Sequence, residues 1–196
     1  WDKAPEVMRK ALDTHDTLMR QSLESFAGFE VKNEGDAFMV AFAGRDAAIG
    51  WCLAVQESML HADWPHELST FPQSASELDE AGALLFQGLR VRMGIHRGNP
   101  QQIVDPTTRR ADYRGGMVNR AARVAHAAHG GQVLLSRAVW EELESDPRHA
   151  LIDLGQHRFA GLEAPEHVVQ IAPSALSGRQ FPPLRALDAR RTNLVP

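Results

Sequence analysis

Between residues 5 and 26 the positions Met8, Leu12, His15, Met19, Leu23 and Phe26 recur every three or four residues with polar residues between them. That spacing predicts an amphipathic helix over Pro5 to Phe26. Two short apolar runs follow, ending at Val31 and beginning at Ala37, on either side of Asn33-Glu34-Gly35-Asp36. A turn-forming group between two β-prone runs predicts a hairpin over Phe29 to Val40. Ala47, Ile49, Leu53, Val55, Met59 and Leu60 then predict a second, largely apolar helix from Asp46 to Ala62. From Pro65 to Gly88 the periodicity is lost and the chain turns polar, which predicts a surface excursion, with a short strand at Leu84 to Phe86. Residues 63–88 are longer than a usual connection and read as an insertion.

Leu89 to His96 alternates apolar and polar residues for four periods and predicts a strand with Leu89, Val91, Met93 and Ile95 toward the helices. His96 falls on the other face, the place of a packed or solvated histidine more than of a metal ligand. Gly98 to Ala111 is expected to be a polar loop, and Asp112 to Gly116 a loop that feeds a helix stopped by His129-Gly130-Gly131. Gln132 to Ser136 predicts a buried strand. Ser136 can then cap a short helix through Leu143. Ala150 to Leu154 and His167 to Ile171 predict two further strands, and beyond Pro173 the pattern fades. The order predicts an α+β sandwich, with helices on a mostly antiparallel sheet. It divides into one domain over residues 1–172 and a linker or tail over 173–196.

Composition narrows the class. A chain of 196 residues with 43% hydrophobic and 23% charged residues suits one ordinary globular domain with a sizeable core. The formal net charge of -4 gives no general attraction to nucleic acid or to an anionic membrane, so any phosphate recognition must be local. Cys52 is the single cysteine; it fits a reducing, cytoplasmic setting and reads as core within its apolar helix. No run approaches the about 18 apolar residues of a membrane span. Three of the 21 basic residues are lysines, so Lys32 departs from the habit of this chain.

Two stretches carry candidate chemistry. In Asp112-Tyr113-Arg114-Gly115-Gly116-Met117-Val118-Asn119-Arg120-Ala121-Ala122-Arg123, Asn119 and Arg123 stand four apart and project from one helical face, with Val118, Ala121, Ala122 and Ala125 to pack behind them. A neutral amide and a fixed cation aimed together suit an anion. Taken alone, they better suit a solvated asparagine beside a surface ion pair. In the hairpin, Lys32 enters and Asp36 leaves the turn, and Gly-Asp by itself is ordinary turn chemistry.

Together the two stretches, in this order, resemble the class III nucleotidyl cyclases, from Trp1 to about Ala172. Gly35-Asp36-Ala37-Phe38-Met39-Val40-Ala41-Phe42 and Gly88-Leu89-Arg90-Val91-Arg92-Met93-Gly94-Ile95-His96 are similar almost letter for letter to fungal and bacterial adenylyl cyclase domains. The resemblance implies a ferredoxin-like core and conversion of ATP to 3′,5′-cyclic AMP and pyrophosphate. It further implies that Lys32 and Asp112 read adenine, that Asn119 and Arg123 support the transition state, and that Asp36 is a ligand to one of two Mg²⁺ or Mn²⁺ ions. In the family the metal carboxylates come from one subunit and the other groups from its partner, which implies a head-to-tail homodimer.

The family's preceding strand, with its Phe-Thr-Asp type motif and first metal aspartate, does not occur in this sequence. Ala160 stands where the family often has a lysine, with Arg158 nearby. A chain lacking these groups is expected to be weakly active or inactive by itself. The alternative is a degenerate domain that binds nucleotide or regulates a partner domain. A diguanylate cyclase is disfavoured, because Glu34-Gly35-Asp36-Ala37-Phe38 departs from that family's motif. The residues from Phe181 onward resemble a segment leading into further modules in some bacterial regulators, which implies fusion to other domains.

Overall fold

The computed structural model describes residues 4–106, 109–144 and 146–187. These fall into two compact units, 1–91 and 92–196. Residues 1–3 at the expected helix entry, and the 188–196 part of the expected tail, lie outside the described residues.

In the first unit α1 (Pro5–Ser25) begins with proline in its first turn and buries Ala11, His15, Met19 and Leu23, a four-residue repeat down one face. It ends as Gly28 N–H reaches back to Leu23 O and Ala27 N–H to Glu24 O, with Ala27 at φ 50°. The hairpin follows as β1 (Phe29–Glu34) and β2 (Ala37–Ala41). Helix α2 (Arg45–His61) buries residues around most of its circumference, Ile49, Trp51, Leu53 and Val55 among them. Burial pushes the Cys52 thiol far up, which fits a packed thiol and not a nucleophile. The excursion contains a short 3₁₀ helix (His66–Thr70) and a two-stranded ribbon, β3 (Glu77–Leu78) with β4 (Leu84–Phe86), so the strand expected at Leu84 to Phe86 is present.

The second unit holds a four-stranded sheet in the order β5-β8-β10-β9, formed by β5 (Met93–Ile95), β8 (Val133–Ser136), β9 (His149–His157) and β10 (Glu166–Pro173). β5 runs parallel to β8, and the other pairings are antiparallel. A separate hairpin joins β6 (Gln101–Val104) to β7 (Ala111–Arg114). Helix α3 (Gly116–Ala127) packs on β5 and β8, and α4 (Arg137–Trp140) is a single turn. Val124, Ala127 and Ala128 join Leu134, Leu154, Phe159, Val168 and Leu184 in one buried cluster. The class is α+β with antiparallel-rich sheets, as expected. Among the described residues no helix is long and apolar enough to cross a membrane.

Four expectations are corrected. The strand predicted over Leu89 to His96 is confined to Met93–Ile95, because the preceding residues bond elsewhere: Gln56 Nε2 donates to Val91 O (2.8 Å), and Arg90 binds Ala75 O and Glu77. The predicted loop from Gly98 to Ala111 contains a strand, Gln101–Val104, whose Ile103 and Val104 pair with Asp112 and Ala111. Residues 112–114 are accordingly strand and not loop. The helix expected through Leu143 stops at Trp140 and receives no side-chain cap from Ser136. Past Pro173 the described residues stay packed: Leu184 is 1% exposed, Arg185 N–H donates to Ala127 O, and Leu187 N–H donates to Arg158 O.

Gly94 sets how closely α3 can approach the sheet. A methyl group there would stand 2.3 Å from Ala125 N and 2.5 Å from Ala125 Cα, both backbone atoms. At Gly50 the corresponding obstacle is the Phe26 ring, which can turn aside. Gly94→Ala is therefore expected to destabilise the fold by about 1–3 kcal/mol or more. Gly50→Ala should cost clearly less in the same urea titration; equal costs would mean that α3 moves freely over β5.

Candidate active site

In the first unit Lys32 pairs with Met39 and Glu34 with Ala37, which leaves Gly35 and Asp36 as a two-residue turn. Gly35 takes φ +67°, as a tight hairpin of this length requires at its first turn position. A bulge between Glu30 and Lys32 absorbs Val31, which is buried, while Lys32 emerges toward solvent with Nζ 3.8 Å from Glu34 Oε1. Asp36 is exposed, and no hydrogen bond or ion pair among the described residues engages its carboxylate.

In the second unit Asp112 lies on β7 at 9% exposure. Its Oδ1 accepts the Tyr113 N–H (2.8 Å), and its Oδ2 is 3.9 Å from Arg114 Nε. Gly115, at φ +109°, makes the corner between β7 and α3, and its carbonyl accepts the Asn119 N–H. On α3, beyond Gly116 in its first turn, the exposed positions are Asn119, Ala122, Arg123 and His126, while Val124 and Ala127 are buried. Asn119 and Arg123 therefore share one outward face. Ala122, expected behind them, lies between them on that face, because the helix turns Val124 and Ala127 toward the core instead.

The Asn119 and Arg123 side chains make no hydrogen bond or ion pair with the described residues. Arg123 lies near the Gly161 turn: an added methyl at Gly161 would lie 3.5 Å from its Nη2 and 3.6 Å from its Nε. The turn at Ala160 and Gly161 thus runs beside the guanidinium, a neighbour that the sequence did not reveal.

Other groups close to α3 also escaped the sequence. Arg120 Nη1 donates to Glu166 Oε2 (2.6 Å), and Glu166 Oε1 accepts the Arg137 N–H (3.0 Å). Ser136 Oγ is 2.8 Å from His96 Nδ1. The contacts join residues 29 to 46 positions apart in the chain, so no local pattern signals them. His126 could have been found, since it continues the spacing of Asn119 and Arg123 by one more turn.

Among the described residues no three His, Cys, Asp or Glu side chains are gathered in a way that could hold a metal ion. Asp36 fits as a single ligand. A hard cation such as Mg²⁺ commonly takes one or two carboxylates and fills its other positions with water and substrate phosphate oxygens.

Residues 1–170 match the family described as the adenylate and guanylate cyclase catalytic domain. The chain belongs to this family. It is 40% identical to an adenylate cyclase of Podospora anserina over 211 residues, covering 91% of the chain and 10% of that protein. With an adenylate cyclase of Mycosarcoma maydis it shares 49% identity over 137 residues, 70% of the chain and 6% of that protein. The chain spans about a tenth of the length of the curated relatives it matches. Among solved structures, one of adenylate cyclases from Trypanosoma brucei in their monomeric state superposes with a TM-score of 0.82 at 31% identity, over 95% of this chain and 88% of that one. For this cyclase domain the α+β class thus agrees with solved relatives.

His96 offers a check on the packing beside α3. Burial first, and then Arg120, hold its pKa below the ordinary 6.5 against the opposing pull of Glu166. The folded chain therefore prefers neutral His96, whereas the unfolded chain takes up a proton near pH 6.5. Its contribution to stability is present above that pH and is lost as the pH falls toward the lowered folded value. Urea midpoints followed from pH 8 downward should fall less steeply in His96→Gln than in the parent around pH 6.5; identical profiles would show that His96 is not the group responsible.

Proposed function

We propose that the chain is the catalytic domain of an adenylate cyclase, which closes the ribose 3′-oxygen onto the α-phosphate of ATP and releases pyrophosphate. The observation that carries this reading is the outward pair Asn119 and Arg123 on α3, unpartnered among the described residues in a member of the cyclase family. An arginine not neutralised by a carboxylate keeps its donors free for phosphoryl oxygens.

Each residue has a role in this reading. Arg123 binds the α-phosphate oxygens as charge builds on them, and Asn119 orients the ribose. Lys32 donates to a ring nitrogen of adenine, and the Asp112 carboxylate, an acceptor when ionised, takes the 6-amino group. Guanine presents a carbonyl there and would be repelled. Mg²⁺ or Mn²⁺ bound through Asp36 and the phosphates, in a family that generally uses divalent metal, supplies charge neutralisation and a lower pKa for the attacking hydroxyl.

The site is completed by two copies arranged head to tail, with Asp36 from one copy and Asn119 and Arg123 from the other. The length of the curated relatives supports a domain built into a larger protein, and ATP as substrate fits a cytoplasmic location.

The test is cyclic AMP release from ATP and Mn²⁺ by the protein at its natural length. Asn119→Ala and Arg123→Ala are each expected to lower turnover by about 10²-fold or more without a change in fold. Mixed in equal amounts, Asp36→Ala and Arg123→Ala should recover about a quarter of parental activity, through heterodimers with one intact site. No recovery would sink the shared site. Nucleotide binding without any product would favour a regulatory domain instead.

Substrate choice is a separate test. Lys32→Glu combined with Asp112→Cys should loosen the preference for ATP over GTP in kcat/KM. Undiminished preference would mean that the base is read by other residues.

A further inference from the structure

Glu166 opens β10 at 3% exposure, and the chemistry above does not use it. Both of its oxygens are engaged: Oε2 by the Arg120 guanidinium and Oε1 by the backbone N–H of Arg137. A buried carboxylate is costly unless it is paired and hydrogen-bonded, and here both demands are met by two different elements. Arg120 follows Asn119 directly on α3 and precedes Arg123 by one turn. Arg137 begins α4, immediately after β8. One carboxylate thus ties the catalytic helix to β10 and to the β8–α4 junction.

The surroundings explain why such a tie matters. Toward β5, α3 presents a small residue, Ala125, whose backbone meets Gly94, and Ala121 and Ala127 are equally small. Apart from Val124, the buried and strand-facing side chains of α3 are thus small; these allow close approach but resist rotation of the helix about its axis less than large ones would. A turn of a few degrees would re-aim the long Arg123 side chain. Arg120 and Glu166 add a directional contact to packing in which Val124 is the one larger buried side chain of the helix.

We propose that Glu166, acting through Arg120, is a positioning residue for the cyclase reaction, fixing the rotation of α3 that aims Asn119 and Arg123 at the nucleotide. The proposal rests on the roles given to those two residues above.

The experiment compares Arg120→Met, Arg120→Lys, Glu166→Gln and the double variant Arg120→Met with Glu166→Gln, in the natural-length protein. It reads kcat and KM for ATP, and the thermal midpoint. Arg120→Met keeps the stem but leaves Glu166 buried without its partner, so both midpoint and kcat should fall, kcat by about 10-fold or more with KM within about 3-fold. The double variant removes the stranded charge, so its midpoint should return while its kcat stays low. Arg120→Lys should regain part of the kcat. A double variant with parental kcat, a kcat that follows the midpoint in every variant, or an effect confined to KM would overturn the proposal. If Asn119→Ala and Arg123→Ala leave turnover intact in the same assay, the proposal falls together with the assignment of the site. If those two are impaired and the double variant is not, the positioning role alone is lost.

Discussion

The close approach of α3 to β5 governs the second unit. At Gly94 the helix backbone occupies the space where any other residue would carry its Cβ, and Ala125 supplies the matching surface. Backbone-to-backbone packing of this kind leaves no room for a larger side chain where Ala125 meets Gly94 and sets the depth of the helix there. The other positions divide between the core, the flank and solvent. Val124 and Ala127 fill the core, Arg120 reaches Glu166, and Asn119 and Arg123 are left toward solvent. The exposure of the candidate catalytic pair is thus a consequence of how the opposite face is seated.

The ends of this helix are held by segments distant in sequence. At its start, Gly115 at φ +109° turns the chain out of β7, and its carbonyl takes the first helical hydrogen bond. At its end, the Ala127 carbonyl, one of the groups that a helix leaves unsatisfied, accepts from Arg185 N–H, and His129 Nε2 lies 2.9 Å from Pro183 O. Leu184 enters the same apolar cluster as Val124 and Ala127. Residues 183–187 therefore act as part of the helix's surroundings, and Leu187 N–H extends the connection to Arg158, two residues before the turn beside Arg123.

Local features were legible in the sequence, and features closed by distant partners were not. The hairpin could be read because Gly35 and Asp36 carry its turn chemistry within a few residues, and the face shared by Asn119 and Arg123 because a four-residue spacing means one thing on any helix. Alternation from Leu89 to His96 was equally regular, yet it specifies only which side each residue faces. It does not say who receives the hydrogen bonds, and Val91 O goes to Gln56 while Met93 N–H goes to Gln132 O. Ser136 looked like a helix cap, but its hydroxyl lies against His96, and Glu166 binds the first N–H of the short helix in its place. In each case the deciding atom comes from a strand or helix that the local pattern does not include.

Charge shows how the arginines of this chain divide. Arg20, Arg90, Arg97, Arg120, Arg137 and Arg148 each lie against a carboxylate at 2.6–2.9 Å. For the exposed pairs the net gain is small, because water screens them, but each neutralises its own field. Arg123 differs: it lies near the Gly161 turn and has no carboxylate beside it among the described residues. Its charge is thus left uncancelled. A carboxylate that steadied this arginine would also neutralise it. Without one, the guanidinium is a donor that can stabilise developing negative charge without first breaking an internal ion pair, a condition that favours electrostatic stabilisation of a transition state.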